Sequence, residues 1–479
     1  MTGSMTLSAT PAPQRRMVIS ICLAAMVLPM TFAGGAIATP DLGRDFDQSG
    51  ALLFWVVNGF MLVFGALPLV AGALADRLGR RRVFRFGLTG FVISGLLLPL
   101  SPSLLIVDLL RGIQGLFAAA TLAGGTALLA QIPEEERRRK AFSMIGATFG
   151  FGLAFGPVIA GLALEAGGWR AVFVLASALA AAALATGAGA LPESRSPAAL
   201  PFDIAGAALF ASLLAALTAW AVLLPARGPA DPLEIGLLAL TGLCLLGFVR
   251  QEKRHAAPMF DLSLLDDPAF LGVQTLPVAT CFGFVSLLVI VPLQLIGAGY
   301  SELEAGLISM ALAAPVFLIP ALLTRFPASD RRRLVTLGLG LAALGLVCLA
   351  FTPFAGPLPP LLLALAMIGG GIGLPWGLMD GLAVEIAPRD KAGVATGMFS
   401  TVRVASEGIV LALVSALYAG LIAALAGVPD ETATAIVSGG TVAPALRPAV
   451  EAACRVLFLC LAALTLLSSA IISRRLRGK

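Results

Sequence analysis

"GALADRLGRRR", residues 72–82, closes one apolar run and opens the next. Its glycines let helix ends approach closely, and its arginines suit the boundary between lipid and water. Asp76 can pair with a loop arginine or face the N-terminus of a neighbouring helix. The run before it, 52–73, and the run after it, 83–101, are each about 20 residues, enough to cross ~30 Å of hydrocarbon as a helix. A charged turn between two such runs is the unit from which a polytopic membrane protein is built.

The same pattern extends along all 479 residues, of which 58% are hydrophobic and only 12% charged. Mean hydropathy is +0.97. Soluble domains carry about a quarter charged residues, so this chain cannot clothe its surface for water. No alternating ten-residue pattern supports a β-barrel. The expected class is all-α and polytopic, with fourteen transmembrane helices. Their cores are 17–39, 52–73, 83–101, 103–130, 141–164, 170–190, 203–223, 233–249, 269–296, 303–323, 334–352, 358–383, 393–424 and 453–473. Arg15-Arg16, an apolar run and "AIA" (36–38) imitate a cleavable signal, but the run is too long and continues into a second span. It reads as an uncleaved first helix.

The net charge of +5 does not point to nucleic acid, because the positive residues sit in short clusters between spans. "DRLGRRR" (76–82), "EEERRRK" (134–140), "RQEKR" (250–254), "DRRR" (330–333) and "PRDK" (388–391) follow even-numbered spans. Connections after odd-numbered spans hold little beyond Arg44, Arg227 and Arg447. The basic loops and both termini are therefore expected in the cytoplasm, with the protein in the inner membrane of the cell. The long connection over 425–452, rich in Gly, Pro, Thr and Ala, reads as a mobile loop or a short surface helix.

Cys22, Cys244, Cys281, Cys348, Cys454 and Cys460 lie at no metal-ligand or disulfide spacing and read as small apolar residues. His255, the one histidine, lies in a basic loop, which leaves no histidine-based metal or catalytic site. No metal or cofactor is expected, and nothing suggests an enzyme: there is no nucleotide loop and no nucleophile–base pair.

A weak repeat relates the loop after span 2 to "TRFPASDRRR" (324–333) after span 10. Aligning them gives two six-helix bundles, 17–195 and 268–473, with spans 7 and 8 inserted over 196–267. Residues 1–16 and 474–479 remain as cytoplasmic tails. Two similar bundles around a central site is a common transporter plan.

These stretches resemble the major facilitator superfamily, in particular its fourteen-helix drug:proton antiporter branch. "GALADRLGRRR" fits the signature between helices 2 and 3, carried by Gly72, Asp76, Arg77, Gly79, Arg80 and Arg81. "LLRGIQG" (109–115) is similar to the branch's membrane arginine followed by Gln-Gly, here Arg111, Gln114 and Gly115. "GLAFGPVIAG" (152–161) resembles the antiporter motif of helix 5 through Gly152, Gly156, Pro157 and Gly161, with Ala160 at one glycine. "GGWRAVF" (167–173), "LPESR" (191–195), "FDIAG" (202–206), "GYSELEAGL" (299–307) and "KAGVATGMFSTVR" (391–403) are similar to branch-typical stretches. The resemblance implies a cytoplasmic latch at the 72–82 cluster, against the plainer role of topology-setting charge. It implies a rocking surface at the helix-5 glycines, which small-residue packing alone would also explain.

Charges inside spans are the most informative residues, since each costs ~2.5–3.5 kcal/mol at mid-helix on insertion scales. Asp108 and Arg111 share a face of span 4, and Arg403 and Glu407 share a face of span 13. Asp380 falls toward the end of span 12, and Asn58 lies on span 2. Gln294 matches a branch-typical glutamine of span 9. The resemblance carries Arg111 and Arg403 but not Asp108 or Glu407.

It also implies an aspartate in span 1, where "MTFAGGAIATP" (30–40) has Thr31, with Ala36 in place of an asparagine. A coupling carboxylate needs burial that favours its neutral form and a nearby cation that favours release. Asp108 and Glu407 both have that form, and two permanent ion pairs would read the same way. Phe32, Trp55, Phe60, Phe282, Phe284 and Trp376 either line an amphipathic pocket or pack in the core.

The expected function is therefore a monomeric, proton-coupled exporter of amphipathic small molecules or drugs, working by alternating access in the lipid bilayer. The alternative is an exporter of an endogenous anionic or zwitterionic metabolite, using Arg111 and Arg403. A membrane enzyme or sensor has no feature in its favour.

Overall fold

The computed structural model describes residues 12–48, 51–194, 203–255, 258, 260, 262–323, 331–386, 392–440 and 442–476. "PRDK", the first seven residues of "TRFPASDRRR", and the outermost parts of both tails lie outside them. All regular structure among the described residues is helical. In chain order the α-helices are α1 (Ala12–Phe46), α2 (Ala51–Ala66), α3 (Pro68–Leu78), α4 (Arg80–Leu97), α5 (Leu104–Leu129), α6 (Glu135–Gly187), α7 (Ile204–Arg227) and α8 (Pro232–Arg254). Then come α9 (Pro268–Thr280), α10 (Ser286–Gly297), α11 (Glu302–Leu323), α12 (Arg331–Ala350), α13 (Leu358–Ile386), α14 (Ala392–Ala426), α15 (Asp430–Val437) and α16 (Arg447–Arg475).

Several starts are written in the local chemistry. Asp203, Asp231 and Asp267 each precede a helix and accept a hydrogen bond from its first turn, at Gly206 N (2.9 Å), Leu233 N (2.8 Å) and Ala269 N (2.8 Å). Pro232 and Pro268 follow two of these caps at the position where a missing N–H is harmless.

Among the described residues, twelve helices are long and apolar enough to cross a membrane, or thirteen if the bent pair α2–α3 counts as one span. Fourteen separate spans were expected, and the difference has two local causes. Span 2 breaks by 54° where Leu67 leads into Pro68, whose ring cannot continue the preceding helix. Spans 5 and 6 join without a loop into the 53-residue α6, which if straight would be about 80 Å long. Its backbone leaves helical values only at Gly167 and Gly168, and Gly168 adopts φ +67°, a value that glycine takes at no steric cost. The expected span 9 is also divided: a π-helical turn over Cys281–Val285 separates α9 from α10. The long connection after α14 forms the short helix α15, with Ala433, Thr434, Ile436 and Val437 buried.

Packing gathers the helices into two sets. In the first, α1 lies along α6, and α5 packs on α2, α3 and α4. In the second, α13 packs on α11 and α12, while α16 packs on α12 and α9. The pair α7–α8 attaches mainly through α7, against α2 and α14. The sets meet along two seams, α6 with α11 and α2 with α14.

The α6–α11 seam is closest at the end remote from the basic loops. A Cβ at Gly161 would come within 2.9 Å of the Glu302 carbonyl oxygen, and one at Gly306 within 2.8 Å of the Pro157 oxygen. Toward the basic end a side chain intervenes, Phe317 against Gly150, and Gly146 has nothing within 4 Å. Across the remote end, Arg44 of α1 pairs with Asp41 (2.7 Å) and with Glu302 of α11 (3.1 Å).

Candidate functional site

The 3.6-residue period of α5 turns Leu104, Val107, Arg111, Gln114 and Ala118 into the first set. Arg111 is fully buried, and every part of its guanidinium is engaged. Nε donates to the Val56 carbonyl (2.8 Å), Nη1 to Gln114 Oε1 (2.6 Å), and Nη2 to the Thr31 carbonyl (3.5 Å). The Phe60 and Phe173 rings flank it, with centroids 4.5 and 5.5 Å from Cζ. Nη2 also lies 2.9 Å from where a Cβ of Gly35 would be, so a side chain there would push the guanidinium aside. Arg111 thus ties α1, α2 and α5 together.

Asp108 takes no part in this. Both its carboxylate oxygens are enclosed without a hydrogen-bond partner. Asn58 donates to the Phe54 carbonyl (3.0 Å) while its Oδ1 has no partner. Thr31, at the expected aspartate position, turns its hydroxyl back to the Val27 carbonyl (2.8 Å).

A narrow pocket lies between the two sets. The first set contributes Leu28, Pro29 and Phe32 from α1, Phe60, Met61 and Phe64 from α2, and Phe149 and Leu153 from α6. The second contributes Val285 from the π-helical turn, Trp376 from α13 and Glu407 from α14. Among the described residues, Glu407 is therefore the single acid in an aromatic and aliphatic wall. Phe60 both lines this pocket and covers Arg111, so the ring stands between the buried guanidinium and the space.

Arg403, one turn from Glu407, has its Cζ 5.6 Å from the Phe149 centroid and 5.7 Å from that of Trp376. Phe284 packs edge-on to Trp376 at 5.6 Å and holds the indole in place. Gln294 lies elsewhere, accepting a hydrogen bond from the Tyr418 hydroxyl (2.8 Å), which also contacts Cys454 Sγ (2.8 Å). That buried knot links α10, α14 and α16. Asp380 belongs to α13, but its side chain is outside the described ones.

In the 72–82 cluster, Asp76 accepts from Arg80 Nη2 (2.7 Å) across the break between α3 and α4. Gly79, at φ +111°, separates α3 from α4. Arg82 pairs with Glu193 (3.6 Å), Arg81 stands 3.9 Å from the same carboxylate, and Arg80 N donates to the Ser194 carbonyl (3.1 Å). These contacts bind the loop to the segment that follows α6. The helix-5 motif divides by facing: Gly152 and Gly156 pack on α1, at Met26 and Met30, whereas Pro157 and Gly161 meet α11.

A long helical chain with a pocket between two packed sets is a transporter architecture, and the sequence comparisons agree. Residues 19–411 match the description of the Major Facilitator Superfamily. The chain belongs to that superfamily. It is thus a multi-pass membrane transporter and not an enzyme. Among its relatives, the multidrug efflux pump LfrA of Mycolicibacterium smegmatis is 29% identical over 407 residues, 83% of this chain and 79% of the relative. The puromycin resistance protein pur8 of Streptomyces alboniger is 30% identical over 449 residues, covering 90% and 88%. The probable actinorhodin transporter of Streptomyces coelicolor is 29% identical over 418 residues, covering 83% and 72%. The crystal structure of the POT family transporter PepTSo superposes with a TM-score of 0.66 at 16% identity, covering 97% of this chain and 98% of that one, and so shares the fold.

Within this superfamily fold, Glu407, Arg403, Phe32, Phe60 and Trp376 are sequence candidates that meet at or beside the pocket. Asp108, Arg111, Asn58 and Gln294 are not among its lining residues. The sequence reading missed Phe149 and Met61 as pocket residues, since a lone aromatic or methionine in an apolar helix looks the same whether it faces lipid or a cavity. It also missed the Arg44–Glu302 contact, for which the sparse charges at the remote end were the available signal.

Proposed function

We propose that this transporter exports amphipathic small molecules, drugs among them, against an inward flow of protons by alternating access. The observation that carries this reading is Glu407, the one carboxylate among the described residues that line the apolar, aromatic pocket between the two sets. An apolar wall accepts the hydrocarbon body of a substrate, and the single acid provides a group that can exchange a proton for it. Two of the relatives, a multidrug efflux pump and a puromycin resistance protein, support outward movement of drug-like cargo.

The reading treats 17–195 and 268–473 as the two rocking bundles and 196–267 as the inserted pair. Counting α2–α3 as one span and α6 as two, at its glycine break, adds one to thirteen and yields fourteen. The basic end then faces the cytoplasm, together with both termini. The protein works as a monomer in the cell membrane, with the proton gradient as its driving force and no cofactor. The structure's closest seam and the Arg44–Glu302 pair are then external closures.

A second reading, export of an anionic or zwitterionic metabolite, keeps Arg403 beside the pocket. It loses Arg111, which is spent on two carbonyls and Gln114 behind the Phe60 ring.

The test is transport in proteoliposomes with an imposed pH gradient, for the wild type, Glu407→Gln and Asp108→Asn. Gradient-driven flux of an amphipathic dye should be lost in Glu407→Gln and kept in Asp108→Asn. Flux that survives both changes removes these carboxylates from the coupling scheme. Movement of an organic acid with no movement of any cationic dye would replace the first reading with the second.

A further inference from the structure

Arg403 occupies a position that deserves a role of its own. Its guanidinium lies between an aromatic ring of each set, Phe149 of α6 and Trp376 of α13, at 5.6 and 5.7 Å. Both rings line the central pocket, and Glu407 lines it one helical turn away. Two aromatic faces beside a carboxylate form the chemistry that recognises an organic cation. Here that place is taken by the chain's own cation.

The contact also crosses the boundary between sets, because Phe149 belongs to the first and Arg403 to the second. Phe149 is buried, and Trp376 is braced by the fully buried Phe284, so neither ring is loosely placed. Arg403 lies on the basic-end side of Glu407 along α14, the side from which an exported substrate would enter.

We propose that Arg403 is a resident stand-in for the substrate. A planar organic cation takes the Phe149 and Trp376 faces, the guanidinium leaves them, and the bridge between the sets is released. This rests on the export reading and specifies its substrate class. Selectivity follows directly. A neutral molecule, or a cation without a flat face, cannot replace the interaction it must break, so it enters without unlocking the bridge. Glu407, one turn away, is placed to balance the incoming charge as Arg403 withdraws.

Binding of ethidium and acriflavine to the purified full-length protein in nanodiscs tests this. Removing the stand-in by Arg403→Ala should tighten binding about tenfold, within the range of one cation–π contact. Arg403→Lys, which keeps a competing cation, should bind much as the wild type does. Trp376→Leu and Phe149→Leu should each weaken binding about tenfold. The decisive variant is Arg403→Ala/Trp376→Leu. Displacement from the ring predicts that the gain from Arg403→Ala disappears in it, whereas simple removal of a repelling charge leaves the gain intact and overturns the proposal. Weaker dye binding in correctly folded Arg403→Ala, judged by size-exclusion profile, overturns it as well. Failure of the wild type to bind either dye while it still exports other molecules would also end the proposal and leave the export reading standing.

Discussion

Arg111 donates to Gln114 Oε1 at 2.6 Å and leaves Asp108, three residues away on the same helix, without a partner. Two charges that a helical spacing would pair are separated because better acceptors are nearer the guanidinium. The carbonyls of Val56 and Thr31 come from two other helices, so the arginine's hydrogen bonds tie three helices together.

Arg111 should accordingly matter for stability more than for substrate choice. Arg111→Ala leaves Gln114 Oε1 without its donor, at about 1–3 kcal/mol for a buried group left unmade, and takes a second donor from two helical carbonyls. Arg111→Lys should fail too, because a single ammonium cannot span the three acceptors of a planar fork. Thermal denaturation followed by fluorescence size-exclusion should show both variants melting well below the wild type. An unchanged melting temperature in either would refute the strut.

Asp108 should behave in the opposite way. A buried carboxylate without donors is a cost of the same order, so Asp108→Leu should be neutral or stabilising in the same melting assay. Strong destabilisation would mean that the acid has a partner in another conformation of the cycle.

How far the sequence could be read is clear from these two residues and Glu407. The repeated apolar runs, the basic loops and the superfamily motifs were legible because length, charge and glycine spacing are local properties. Facing was less so. Asp108 and Glu407 look alike in the chain, each a short step from an arginine, but one falls beside the α2–α5 contact and the other in the pocket wall. Which side of a helix meets a cavity depends on how separate helices dock, and no local pattern encodes that. The same limit explains the helix-5 motif, whose glycines serve two different neighbours, and the loop-free join at Gly167–Gly168.

The α6–α11 seam should be intolerant of bulk. Gly306→Leu would place side-chain atoms against the Pro157 carbonyl, and overpacking of this kind costs about 1–3 kcal/mol. The remote end should open about tenfold more often, read as faster labelling of a cysteine placed there by a membrane-impermeant maleimide. Labelling no faster than in the unmodified seam would count against its role as a closure.

Arg44 and Glu302 provide a milder version of the same test. Both are partly exposed, so their pair is worth about 0.2–1 kcal/mol. Arg44→Glu and Glu302→Arg should each speed that labelling by at most about fivefold, and the double exchange should return it toward the wild-type rate. A double exchange no better than the single changes would show that the contact contributes nothing to closure.

Tyr418→Phe removes the hydroxyl shared by Gln294 and Cys454. A melting shift equivalent to about 1 kcal/mol is expected, with no change in apparent substrate affinity. A marked change in affinity would place Gln294 on the transport path after all.

The elbow of α6 constrains how this chain can vary in length. With no connecting loop at Gly167–Gly168, and with Asp45 of α1 gripping Trp169 Nε1 (2.9 Å) and Arg170 (2.9 Å) beside it, the turn has no slack to take up extra residues. An epitope tag inserted there would twist one arm of α6 against the other. Gly427, just past the end of α14 and with nothing within 4 Å of where its Cβ would stand, has room for one. Insertions and deletions among homologues should therefore collect around α15 and stay away from the elbow.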